Sequence, residues 1–324
     1  MQGQSIPCSV SILRHSWIAF LPLCFTLRRV EPITFYNRYT DSIETEHVYG
    51  ESFLKWAYGS PLGKIALHAF VKRPFFSAWY GRRMDQTKTQ QKVAPFIDEY
   101  QMDVDDFLDS PESYAHFNAF FYRKLKPSAR PIAAADLVFP ADGRHLGFEN
   151  AEDIAGAFIK GQKWNLRALI GDDKLYQQFK GGSLVLSRLC PVDYHRFHFP
   201  CACTPGETRM INGPLFSVSP IALRQNLGYM WQNKRTCTVL DTPDLGKVLI
   251  LEIGATCVGS ILQTYKPDQV IAKGDEKGYF AFGGSSTITI FQSGKVELSS
   301  DLLEHSANCQ ELYARMGDTM GEKK

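Results

Sequence analysis

The chain has 324 residues, 36 basic against 34 acidic, a net charge of +2, and hydrophobic and charged fractions of 44% and 22%. This is ordinary globular composition, and it excludes a mostly disordered chain, a collagen-like chain and a coiled coil. With so small a net charge the chain as a whole is not a polyelectrolyte partner for nucleic acid, and any basic surface must be local.

The first thirty residues stand apart. Ser16 to Leu27 is apolar, with Arg14 before it and Arg28 and Arg29 after it. A spanning helix needs roughly 20 apolar residues, and this run is shorter and contains Pro22. No small-residue cleavage site follows it, which weakens a signal-peptide reading. Residues 1–35 read equally as an interfacial anchor or as a disordered, even non-native, extension. Eight cysteines in a chain this long are sparse and their spacing does not read as a disulfide framework, so a reducing compartment is expected.

From Val30 to Gln90 the pattern is helical. Between Lys55 and Lys92 the basic residues are Lys55, Lys64, Lys72, Arg73, Arg82, Arg83, Lys88 and Lys92, and Asp85 is the one acid. Trp56, Tyr58, Phe70, Phe75, Phe76, Trp79 and Tyr80 are interleaved with them. Cations beside large aromatics suit an anionic membrane surface, where Trp and Tyr sit at the interface. A helical pair with aromatics in its core and solvated lysines would read the same way. No nucleic-acid reader motif is present. After an acidic connector, Pro111 opens a predicted helix through Lys126, with Phe117, Phe120, Phe121 and Leu125 on one face.

From Ala135 the chain changes to short strands rich in Val, Ile, Phe and Thr, punctuated by Gly, Pro, Asn and Asp. The expected class is α+β: a largely antiparallel β core entered after an N-terminal helical layer. The expected division is an extension at 1–35, a membrane-facing helical layer at 36–130 and a β-rich catalytic core at 131–324.

Three stretches carry chemistry. Pro140–Gly143 ends in an Asp-Gly turn, common by itself. Leu189–Pro200 holds His195 and His198 three apart, with Asp193, Tyr194 and Arg196 beside them. In an extended segment side chains alternate between faces, so the two histidines would have separate tasks. Cys190, Cys201 and Cys203 lie close by, but their spacing to the histidines is not a standard zinc pattern, and the cysteines read as small buried apolar residues. No metal is expected. Gly278–Phe291 joins two strand patterns through Gly-Gly-Ser-Ser, either a plain hairpin or a serine placed to attack its own preceding carbonyl.

Together these stretches resemble the phosphatidylserine decarboxylases. The resemblance runs from about Tyr36 to the C-terminus through Phe117–Ile132, Phe139–Gly143, Cys190–Pro200, Ile211–Arg224, Glu252–Ile261 and Lys273–Ser286. The family's usual cleavage motif is Leu-Gly-Ser-Thr, and here Gly284-Ser285-Ser286 stands in its place with an additional glycine, Gly283. The resemblance implies a proenzyme that cuts itself between Gly284 and Ser285, leaving a pyruvoyl group derived from Ser285 as its covalent cofactor. It implies a triad of Asp142, His198 and Ser285 for the cut, and His195 is the candidate proton donor in the decarboxylation. Phosphatidylserine would form a Schiff base with the pyruvoyl group, lose carbon dioxide and become phosphatidylethanolamine. The partners implied are this lipid, a membrane surface and the chain's own cleaved halves, 1–284 with 285–324, with a homo-oligomer allowed. The protein would sit peripherally on the cytoplasmic face of the cell membrane. Ser286 is the rival processing position. The competing readings are a pyruvoyl decarboxylase of a soluble amino acid, an unprocessed lipid-binding homologue and a carrier module with a prosthetic group on Lys273.

Overall fold

The core is a ten-stranded sheet, seen in a computed structural model that describes residues 32–152, 154, 163–257, 260–283 and 285–324. The expectation for residues 1–35 therefore lies almost wholly outside the described residues. In spatial order the sheet runs Ser42–Thr45, Thr34–Asn37, Glu311–Ala314, Gly143–Phe148, Leu184–Leu189, Ser285–Phe291, Lys247–Ile253, Arg235–Asp241 and Thr204–Pro205, and Arg209–Ile211 also pairs with Arg235–Asp241. Every pairing is antiparallel except that of Thr34–Asn37 with Glu311–Ala314.

The central strands carry apolar residues on both faces because both faces are covered. Leu184, Leu186, Leu249, Leu251, Ile288 and Ile290 enter one core cluster, and Val185, Val248, Ile250 and Phe291 enter another. Alternation along a strand sends neighbours to opposite faces, which explains the near-continuous apolar runs. Two smaller sheets flank the large one. Ile261–Gln263, Glu276–Phe280 and Arg196–His198 form the first, and Val296–Leu298, Thr319–Lys323 and Leu137–Val138 form the second.

The α+β class is as expected, but the N-terminal boundary is not. Residues 34–45 form a hairpin on the edge of the large sheet, not part of a helical layer. Thr, Phe, Tyr and Ile favour the pleated surface, and pairing with the distant Glu311–Ala314 strand supplies the partner that local pattern could not reveal. Helices begin at Glu51–Gly59 and continue through Pro61–Ala66, a wide turn at Leu67–Val71, Pro74–Met84 and Val93–Tyr100. Pro61 and Pro74 stand in first helical turns, and the Ser60 hydroxyl accepts from the Gly63 N–H. A proline there forfeits no intrahelical bond.

This layer is two-faced. Ala57, Tyr58, Leu67 and Val71 enter the core, while Trp56, Leu62, Ile65, Phe70, Phe75 and Trp79 are exposed. No described helix is long and apolar enough to cross a membrane. The helix expected from Pro111 to Lys126 is reduced to a 3-10 turn at Pro111–Ser113 and a short helix at Phe117–Phe121. Extended backbone at Tyr114 and His116 breaks it, and the His116 ring caps the second piece at the Ala119 N–H.

Candidate active site

Ser285 opens the central strand of the large sheet, where it lies opposite Leu189, and it is fully buried. Its Oγ is 3.5 Å from His195 Nδ1. The other ring nitrogen, Nε2, lies 2.9 Å from the Cys190 carbonyl, which can only accept, so Nε2 carries the proton and Nδ1 presents a lone pair to the serine. The His195 ring stacks on Phe121 at 3.9 Å between centroids. Burial, aided by the Arg123 charge, pulls the imidazole down to about 3 and keeps it neutral. A neutral imidazole with a free lone pair against a hydroxyl is the arrangement of a base.

His198 points elsewhere, in keeping with the expectation that the two histidines face different ways. Its Nδ1 lies 2.9 Å from the Gly274 carbonyl and its Nε2 3.4 Å from the Tyr194 hydroxyl. Burial again pushes it toward the neutral form. Asp142 is buried and held by Arg130, with Nε 3.0 Å from both carboxylate oxygens and Nη2 2.6 Å from Oδ2, while the Met316 N–H donates at 2.8 Å. The structure thus joins Ser285 to His195, and it engages Asp142 and His198 with other groups.

Ser286, the rival processing position, faces the opposite side of the strand from Ser285, and its buried hydroxyl has no hydrogen-bond partner among the described residues. Lys273 sits at a turn, but its ammonium donates to the carbonyls of Ala133 and Ala135, which is not the free lysine of a carrier hairpin. Cys201 and Cys203 lie in an apolar cluster, and burial pushes both thiols up.

Beside this site opens a cavity of about 570 Å³. Phe282 and Gly283 line it, with Leu189, Cys190 and Pro191 on one side and Tyr49, Phe53, Leu54, Phe76 and Tyr80 on the other. Phe53, Leu54, Phe76 and Tyr80 belong to the helical layer and Tyr49 to the turn before it, so the cavity runs from the segment before Ser285 to that layer. Glu46 and Arg188, which also line the cavity, belong to a buried ion network. Arg188 pairs with Glu46 at 2.5 Å and Glu311 at 2.7 Å, and Arg144 pairs with Asp193 at 2.6 Å. Asp193 also accepts the Cys190 N–H at 2.6 Å, which shapes the turn that carries His195.

Sequence reasoning missed several residues that hold these groups. Arg130 fixes Asp142, and Arg123 donates to the carbonyls of Val192 and Asp193 from a fully buried site between Phe107 and Phe120. Lys277 and Glu252 form an ion pair at 2.9 Å with neither side chain exposed. Arg123 follows an aromatic run and Lys277 stands inside a strand pattern, which is a signal because arginine and lysine are rarely buried without a partner; Arg130, beside prolines in a loop, carries no such signal.

Residues 117–322 match the family profile described as phosphatidylserine decarboxylase. A phosphatidylserine decarboxylase proenzyme from Fusobacterium nucleatum is 42% identical over 296 residues, covering 91% of this chain and 99% of that one. Proenzymes of the same name from Clostridium perfringens and Chlamydia pneumoniae are each 41% identical, over 90% and 89% of this chain and 100% and 96% of theirs.

Proposed function

The chain belongs to the phosphatidylserine decarboxylase family, and we propose that it is a proenzyme that cuts itself before Ser285 and then decarboxylates phosphatidylserine to phosphatidylethanolamine. The observation that carries the site assignment is the buried Ser285 hydroxyl in reach of a neutral imidazole, two residues after Gly283, which lines the cavity.

In the cut, Ser285 Oγ bonds to the Gly284 carbonyl carbon, the peptide C–N bond breaks, and the serine proton ends on the freed amine. Loss of the Ser285 α-proton then breaks the Cβ–O bond, giving the Gly284 carboxylate and dehydroalanine. Addition of water and loss of ammonia leave a pyruvoyl group, with no oxidant or reductant required. When present, that group supplies the electron sink that decarboxylation of an amino acid needs. The site fits it, because position 285 is buried beside the cavity and next to a titratable ring.

The family resemblance gives the cut to Asp142, His198 and Ser285, and the decarboxylation proton to His195. The 3.5 Å contact supports His195 as the group that acts at position 285 after the cut. The same contact favours a second reading, in which His195 is also the base for the cut. Intact mass of His195→Ala and His198→Ala separates them. A His195 variant that is cut but inactive, beside a His198 variant that stays whole, supports the first. A His195 variant that stays whole supports the second. Ser285→Ala should remain a single chain. If the wild-type chain also stays whole, the decarboxylase reading fails.

The substrate's tails must remain in an apolar medium while its head group reaches the cavity. Phe53 and Leu54 line the cavity on the same helix as exposed Trp56, and Phe76 lines it on the same helix as exposed Phe75 and Trp79. Lys55, Lys72, Arg82 and Arg83 lie on or between these helices. This supports a peripheral protein docked by its helical layer on an anionic membrane, on its cytoplasmic face. Removal of the first 92 residues cannot test this cleanly, since residues 34–46 belong to the core sheet and its ion network. Point variants on the exposed face are the appropriate probe.

A further inference from the structure

The segment that leads into the cleavage position is held at both ends. Downstream, Ser285 and Ser286 are paired in the central strand with Leu189 and Arg188. Upstream, the Phe282 ring is set among Phe117, Phe121 and Tyr80, with centroids at 5.4, 4.9 and 5.4 Å. The Phe282 N–H donates to Asn118 Oδ1 at 3.0 Å. Asn118 is buried, and its Nδ2 donates to Asp85 Oδ1 at 2.7 Å, which fixes which end of the amide faces Phe282. Gly283 follows at φ +126°, a conformation that side-chain-bearing residues rarely adopt.

We infer that Asn118 is a positioning residue for the self-cut: it clamps the upstream end of the scissile segment so that the Ser285 hydroxyl meets the carbonyl before it. This rests on the reading of Ser285 as the cleavage position and extends it to a residue that touches neither the serine nor either histidine. An intramolecular attack depends on near-attack geometry, and a misplacement of about 1 Å costs about 100-fold in rate. Gly283, at a backbone angle that glycine adopts readily, does not by itself hold the segment once the clamp is lost. Asp85 is the second part of the device, because it orients the amide.

The test follows chain cleavage against time after cell-free synthesis of the full chain, with wild type and Ser285→Ala as references. Asn118→Ala should be cut about 100-fold more slowly. Asn118→Asp should also be slow, since it sets two carboxylates within hydrogen-bond distance of each other. The exchange Asn118→Asp with Asp85→Asn restores the pattern: the new carboxylate accepts from Phe282 with one oxygen and from the new amide with the other. It should return the rate to within a few-fold of wild type, which a residue needed only for bulk would not do. Cutting of Asn118→Ala at the wild-type rate would overturn the inference. So would an exchange variant as slow as Asn118→Asp alone, and this comparison stands even if the alanine variant fails to fold. A wild-type chain that stays whole would instead overturn the cleavage reading itself.

Discussion

Lys277→Met should destabilise the protein far more than an ordinary substitution. Lys277 and Glu252 are each fully buried and lie 2.9 Å apart. The ammonium also donates to Thr238 at 3.0 Å and Gln263 at 2.7 Å, and it sits 5.1 Å from the centre of the Tyr265 ring. Removing it leaves the Glu252 carboxylate, among the described residues, with Thr236 and Gln263 as its donors. Breaking one side of a buried pair costs about 3–5 kcal/mol, because the remaining charge keeps its desolvation penalty. For a chain of this size that corresponds to a fall in melting midpoint of roughly 4–7 °C.

The loss reaches the site, since Lys277 follows Glu276, which pairs with Arg196 and lies opposite His198. Denaturant unfolding in a Ser285→Ala background, followed by circular dichroism, keeps a single chain on both sides of the transition. Adding Glu252→Gln removes the stranded charge and should recover most of the stability. A cost under about 1 kcal/mol for the single variant, or a double variant as unstable as the single one, would refute the argument.

Further outcomes are expected. Burial lowers His145 and His195 to about 3, so both stay neutral when folded while their unfolded counterparts gain protons below about 6.5. The unfolded state then binds more protons, and stability falls as pH drops from about 6.5 toward 3, with each histidine contributing about 1.4 kcal/mol per pH unit. Unfolding at pH 5.5 should take up at least about two protons, and His145→Asn should reduce that by about one; an unchanged uptake would remove His145 from the account. Gly283→Ala should slow the self-cut, because φ +126° is strained for alanine; an unaltered cleavage time course would show that this conformation is not required. Trp79→Ser with Phe75→Ser should weaken binding to vesicles containing phosphatidylserine while leaving the self-cut intact, and equal sedimentation with vesicles would move the membrane face elsewhere.

Much of the fold was legible in the sequence. The apolar runs at Leu184–Leu189, Lys247–Ile253 and Ser285–Phe291 are strands, as their short apolar patterns between turn residues implied, and they occupy adjacent central places in the sheet. The edge hairpin at residues 34–45 was not legible, because its stability comes from a partner 276 residues away. The long helix expected at Pro111–Lys126 failed for a related reason. Phe117, Phe120 and Phe121 keep helical spacing, but Asn118 and Arg123 are drawn to Phe282 and to Val192 and Asp193, and they fix the local path.

The sequence by itself determined the chemistry: a serine preceded by glycines, two histidines three apart, an Asp-Gly turn, and the order of these blocks along the chain. Such identities are local and survive any folding. Only the tertiary structure decided which imidazole meets the Ser285 hydroxyl, which guanidinium holds Asp142 and which amide clamps Phe282. These are pairings between distant segments. Strand register and buried charge select them, because a polar group taken out of water must find its partner wherever the fold supplies one.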